Sequence, residues 1–258
     1  MTDRGLEEAI RAVGGVTELA RRIGISQPSV SNWTRVPAER VLTVEAVTGV
    51  ARAILRPDLY DDNNKPDRVD EVDLARAQEY ALLAALLARA PDAALLGRLS
   101  TLRGDPTPLG LAHVGLADAA SRADAGKVER EFFDLFIGIG RGELMPYGSY
   151  YIAGFLHERP LARLREDLGR LGIERVEAQY ESEDHAVIEC EIMSGLAGGQ
   201  FSAPADAGRE LFDKHLAPWL GRFFADLERA QSADFYRSVG ALGRTFMAIE
   251  SEAFALAD

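Results

Sequence analysis

The chain holds one cysteine, Cys190, so no disulfide can form within it, and a lone thiol fits a reducing compartment. It has no apolar run near the roughly 18 residues that a membrane-spanning helix needs. The longest candidate, residues 80–88, is half that length. The first residues are polar and charged with no apolar stretch behind them, so no secretory signal is expected and the location is read as cytoplasmic. Alternating or β-branched runs are nearly absent, which argues against sheet. Also missing are a nucleophile elbow and a phosphate-cradling glycine loop. His113, His157 and His215 stand apart with no partner at helical spacing, so no metal or other cofactor is expected. These absences predict a protein that is not an enzyme.

What remains is a globular composition, 47% hydrophobic and 27% charged over 258 residues, enough for one large domain or two smaller ones. The formal charge of −12 is uneven: residues 1–60 carry +1 and the rest −13. An acidic body repels phosphates and favours a basic partner, although solubility alone would also account for it. Residues 61–67 contain no apolar side chain and read as an exposed linker. The expected organisation is residues 1–62, a linker at 63–72, and residues 73–258. Beyond the linker, Leu82, Leu83, Leu86 and Leu87 form a broad apolar helix stopped by Pro91. Phe132, Phe133, Phe136 and Ile139 recur at helical spacing, as do the apolar residues of 211–227 and 235–249. The fold class expected is all-α.

Residues 16–35 carry the most specific local pattern. Leu19 and Ile23 would face inward, Ala20 is small where two helices cross, and Gly24 suits a left-handed turn. Ser26 reads as an N-cap, Pro28 sits in the first turn after it, and Val30 and Trp33 point to a core. This helix-turn-helix leaves Gln27, Ser31, Asn32 and Arg35 outside, where Gln and Asn side chains can bond adenine. Arg21, Arg22 and Arg40 are candidates for phosphate contacts. A plain interaction module is the alternative. With the segment from Val36 to Tyr60 added, residues 5–61 resemble YdaS/Cro-like DNA-binding domains. That resemblance implies a small repressor-type fold and a homodimer on DNA.

Residues 181–193 are the second informative stretch. Asp184 looks placed to cap a helix, and His185 and Glu189 fall four apart on one face, where nearby carboxylates would raise the histidine pKa. A capped helix with a satisfied His–Glu pair is what the residues alone favour. Leu216, Trp219 and Phe223 read as core. The spacing Asp184-His185, Glu189, Met193 resembles the signature of the TorD/DmsD family. Tyr147, Ser149 and Tyr150 upstream, and Phe212, His215, Leu216, Trp219, Phe235 and Tyr236 downstream, add to the likeness across residues 73–258. The resemblance implies an all-helical chaperone that binds the twin-arginine signal peptide, or the apo form, of a molybdenum-cofactor oxidoreductase. Formate dehydrogenase or a dimethyl-sulfoxide-reductase-type enzyme would be the client. It implies that Asp184, His185, Glu189, Tyr147, Ser149 and Tyr150 line or shape the peptide groove. A transcriptional regulator whose helical domain senses a ligand or client is the rival reading.

Overall fold

Helix caps sit where short polar residues precede apolar periodicity, and they set the element order of the computed structural model. It describes residues 3–60, 70–174 and 181–256, so most of the expected linker lies outside the described residues. The chain divides into two compact units, Met1–Arg68 and Val69–Asp258. No strand occurs among the described residues, as the missing β patterning requires.

The first unit contains α1 (Arg4–Val13), α2 (Val16–Ile23), α3 (Gln27–Ser31), a 3₁₀ turn (Ala38–Arg40), α4 (Val41–Thr48), α5 (Arg52–Leu55) and α6 (Pro57–Tyr60). Its core joins Leu6, Leu19, Ile23, Val30, Val41 and Leu55, with Trp33 packed against it. Gly24 adopts the left-handed conformation, φ 73°, that the helix-turn-helix pattern demands. Ser26 caps α3 by accepting from the Ser29 amide. Gly5 is required for contact: a Cβ there would stand 2.4 Å from the Ile54 carbonyl oxygen, so α1 lies directly on α5.

The second unit runs α7 (Glu71–Ala88), α8 (Ala93–Leu99), α9 (Pro108–Arg122), α10 (Ala125–Phe132), α11 (Gly148–Ala153), α12 (Arg159–Arg170), α13 (Ala186–Ala197), α14 (Ala207–Leu211), α15 (Leu220–Arg229) and α16 (Phe235–Leu256). The linker was expected to reach residue 72. Instead Asp70 caps α7 by accepting from the Asp73 amide at 2.7 Å, so the helix takes in residues 71 and 72. Helix α13 packs on α7, and α16 on α15 and α9. Being buried around most of its circumference, α13 is apolar on nearly every side, which hides any amphipathic period. Trp219, Tyr80, Tyr236, Phe212, Phe223 and Phe224 fill the centre.

Two wide turns interrupt the regular helices, Phe133–Ile137 after α10 and Phe212–Leu216 after α14. The first overturns one expectation: the helix carrying Phe132 and Phe136 does not continue to Ile139. Gly138 takes φ 61°, the chain turns, and Ile139 is 99% exposed. The last and first helices of the unit are joined by a buried clasp. Glu250 accepts two hydrogen bonds from Arg76, at 2.8 and 2.9 Å, and a third from the Tyr80 hydroxyl at 2.8 Å.

Candidate functional site

The loop before α11 and the loop before α13 meet through one antiparallel bridge between Tyr147 and His185. The Gly148 amide donates to the Asp184 carbonyl (2.8 Å), and the Ala186 amide donates to the Pro146 carbonyl (2.9 Å). Side chains reinforce the join. Asp184 accepts from the Ser149 amide at 2.8 Å through Oδ2 and from the Ser182 hydroxyl through Oδ1. Ser149 Oγ accepts from the His157 amide (3.2 Å), where His157 holds a left-handed φ of 60°. Asp184 and Ser149 are thus buried and spent on holding two loops together.

The helix cap differs from the one expected. His185, not Asp184, is the N-cap of α13: its Nδ1 accepts from the Val187 amide at 3.2 Å. That bond requires a bare Nδ1, hence a neutral ring. Burial pushes the His185 pKa down, against the opposing pull of Glu181 and Asp184. The expected rise does not occur, because desolvation outweighs the neighbouring carboxylates. Nor do His185 and Glu189 pair. Glu189 turns inward and its Oε2 accepts from Trp219 Nε1 at 3.1 Å. Burial drives the Glu189 pKa well up, with Asp184 adding to the rise, while the indole bond opposes it.

The bridge gives alternate residues to two cavities. One, of about 270 Å³, has an apolar wall including Phe132, Phe136, Ile137 and Val187, and a polar edge of Tyr147, Glu181 and His185. The Tyr147 hydroxyl donates to Glu181, and the Tyr147 and His185 rings meet edge to face. Burial first, then Glu181, raises the Tyr147 pKa, keeping the phenol protonated. The other cavity, of about 530 Å³, is lined by Gly148, Asp184, Glu189, Leu164, Pro218 and His215 among others. Of the six expected groove residues, Tyr147 and His185 reach the first cavity, and Asp184 and Glu189 the second. Ser149 supports the bridge without lining either. Tyr150 is half-buried near Arg141, whose guanidinium lies 6.0 Å from its ring. The residues that sequence reasoning missed are Glu181, Gly148 and Ile137. Glu181 opens the acidic run before His185, but its pairing with Tyr147 spans the fold and leaves no local signal.

In the first unit, Gln27, Ser31, Asn32 and Arg35 are exposed, as expected. The helix presenting them is short, however. Asn32 is already the C-cap of α3, and Gln27 Nε2 donates to Ser31 Oγ at 2.7 Å. Arg21 and Arg22 are exposed but both bond Glu18, at 2.6 and 2.8 Å. Those hydrogen bonds hold the Glu18 pKa down at about 2, so the acid stays charged beside the two arginines.

The described residues form an all-helical unit with two cavities beside one loop–loop bridge, preceded in the chain by a helix-turn-helix unit. Residues 102–225 match the family model of the nitrate reductase delta subunit, and residues 6–64 match that of the bacterial toxin YdaS. The two-part resemblance read from the sequence stands on these matches. Among curated proteins, the chaperone protein TorD of a Vibrio cholerae serotype O1 El Tor strain is 30% identical over 137 residues, 49% of this chain and 62% of that protein. The TorD chaperone of a Classical Ogawa strain is 29% identical over 126 residues, covering 45% and 57% respectively. The chain therefore spans about three-fifths of the length of the curated relatives it matches. A solved structure described as a redox enzyme maturation protein from Archaeoglobus fulgidus superposes with a TM-score of 0.46 at 20% identity, covering 67% of this chain and 93% of that one.

Proposed function

We propose that the second unit is a maturation chaperone that binds the twin-arginine leader, or the apo form, of a molybdenum-cofactor oxidoreductase in the cytoplasm before export, and does no bond chemistry. The observation that carries the reading is the 270 Å³ cavity beside the Tyr147–His185 bridge. A leader joins an apolar stretch to arginines, and this cavity joins an apolar wall to the Glu181 carboxylate. The unit's charge of −12 draws a basic segment toward it. Matches to proteins named as chaperones support the same reading. On this account Tyr147, His185 and Glu181 face the peptide, while Asp184, Ser149 and Glu189 shape the wall behind it. Tyr150 lines neither cavity and has no assigned part in this reading. A formate dehydrogenase or a dimethyl-sulfoxide-reductase-type enzyme is the client.

The test is placement. A leader peptide carrying a photoreactive group in its apolar stretch should label Phe136, Ile137 or Val187 in the full chain, and Glu181→Lys should suppress the labelling. Labelling confined to other surfaces, or unchanged by Glu181→Lys, contradicts the assignment.

The first unit supports a second role, DNA binding by a homodimer through Gln27, Ser31, Asn32 and Arg35, which would make the chain a regulator of the system it serves. The exposure of these four side chains after a helix-turn-helix turn favours it. A mobility shift with the gene's upstream DNA, lost in Asn32→Ala, tests it.

A further inference from the structure

The 530 Å³ cavity has a different chemistry from the leader cavity. Its most buried charged residue is Glu189, 1% exposed, with no cation bonded to it among the described residues. Oε2 is taken by the Trp219 indole, whereas Oε1 has no hydrogen-bond partner among the described residues. A carboxyl so nearly buried, beside a neutral indole and with no cation bonded to it among the described residues, is most stable as the uncharged acid. Since Oε2 accepts from Trp219, the acid proton belongs on Oε1, which makes that oxygen a donor. Gly148 keeps it uncovered: a Cβ there would stand 3.5 Å from Oε1 and 3.0 Å from Trp219 Nε1.

The rim completes the picture. Arg170 is bonded to Asp167 and Glu166, His215 to Asp167, and Lys214 to Glu210. Asp184 is occupied by Ser149 and Ser182. Arg163 alone of the lining cations has no partner among the described residues. The same cavity wall also carries the apolar side chains of Ile152, Leu164, Pro160 and Pro218. We infer that this cavity is a second binding site, for a small molecule carrying an oxyanion on an apolar body, its oxygen bonded to Glu189 and its charge facing Arg163. A volume of about 530 Å³ lies in the range of small-molecule sites.

The test uses benzoate and phenyl phosphate as probes, benzamidine as their cationic counterpart, and the full chain. Trp219 and Trp33 are its only indoles, so the Trp219 Nε1–H resonance reports the cavity directly. Benzoate or phenyl phosphate should shift it saturably, and the stronger of the two identifies the oxyanion as carboxylate or phosphate. Glu189→Gln, which keeps an acceptor for Trp219 and a donor for the ligand, should retain binding within about threefold. Arg163→Ala, an exposed change without risk to the fold, should weaken it about fivefold or more. Gly148→Ala should abolish the shift while helicity is kept. Saturable binding of benzamidine that Glu189→Gln destroys would overturn the inference, as would silence of the indole toward both anions. Neither result bears on leader labelling at the other cavity, so the two proposals fail separately.

Discussion

Tyr147 and His185 face each other across the junction of two loops, ring centroids 4.9 Å apart at 79°, with backbone hydrogen bonds on either side of the pair. This contact ties the entry of α11 to the entry of α13, the most buried helix of the second unit. A loop–loop bridge seated on a largely buried helix fixes the positions of residues that line both cavities. Such preorganisation lowers the ordering cost of binding.

His185 and His113 should give opposite pH dependences. Burial depresses the His185 pKa, so its contribution is complete above the unfolded value of about 6.5 and is lost as pH falls below it. His113 is raised by its hydrogen bond to Glu79, so its contribution is present below that value and is lost as pH rises through the folded pKa. Urea midpoints of His185→Asn and His113→Gln between pH 5 and 8, each referred to wild type, should slope in opposite directions. Asn is a good N-cap, so His185→Asn should fall within about 1 kcal/mol of wild type at pH 8. Parallel slopes would refute the assignment.

The Glu250 clasp should dominate the stability of the second unit. Glu250→Ala leaves Arg76 and the Tyr80 hydroxyl without their buried acceptor, and a loss of about 3 kcal/mol or more is expected from chemical denaturation. A loss under about 1 kcal/mol would show the network to be peripheral.

Glu131 holds the start of α16. Its carboxylate accepts from the amides of Asp234 (2.8 Å), Phe235 (3.1 Å) and Tyr236 (2.7 Å), donors that a helix N-terminus leaves unpaired. Glu131→Ala should cost about 2 kcal/mol and should speed hydrogen exchange first at those three amides. Uniform exchange across α16 would contradict a capping role.

In the first unit, Glu18 competes with phosphate for Arg21 and Arg22. Glu18→Gln should release both arginines and tighten DNA binding. It should also steepen the salt dependence by as much as about two units of log–log slope, near 0.9 for each further phosphate neutralised. An unchanged slope in gel-shift titrations would exclude these arginines from the interface.

The helix-turn-helix was legible because its signals are local. Gly24, Ser26, Pro28 and Val30 each meet a backbone or packing need within a few residues. The all-helical class followed from the lack of strand patterning, and the core roles of Trp219 and Phe223 from periodicity. The site was less legible because its contacts cross the chain. His185 and Glu189 look like a surface pair four residues apart, but burial around most of α13 sends Glu189 to Trp219 instead. The cap passed from Asp184 to His185 because Asp184 is drawn to the Ser149 amide, a partner that no local window contains. Arg21 and Arg22 read as phosphate contacts, and their pairing with Glu18, within one turn of both, was the part not foreseen.

The function proposed for the second unit turns on recognition of a basic, apolar leader by its acidic surface. Its most direct test is fluorescence anisotropy of a labelled twin-arginine leader titrated with the full chain. Saturable binding is expected, weakened about tenfold or more when both arginines become alanine and reduced again by Glu181→Lys. Equal affinity for the arginine and alanine leaders, or no binding at all, would contradict it.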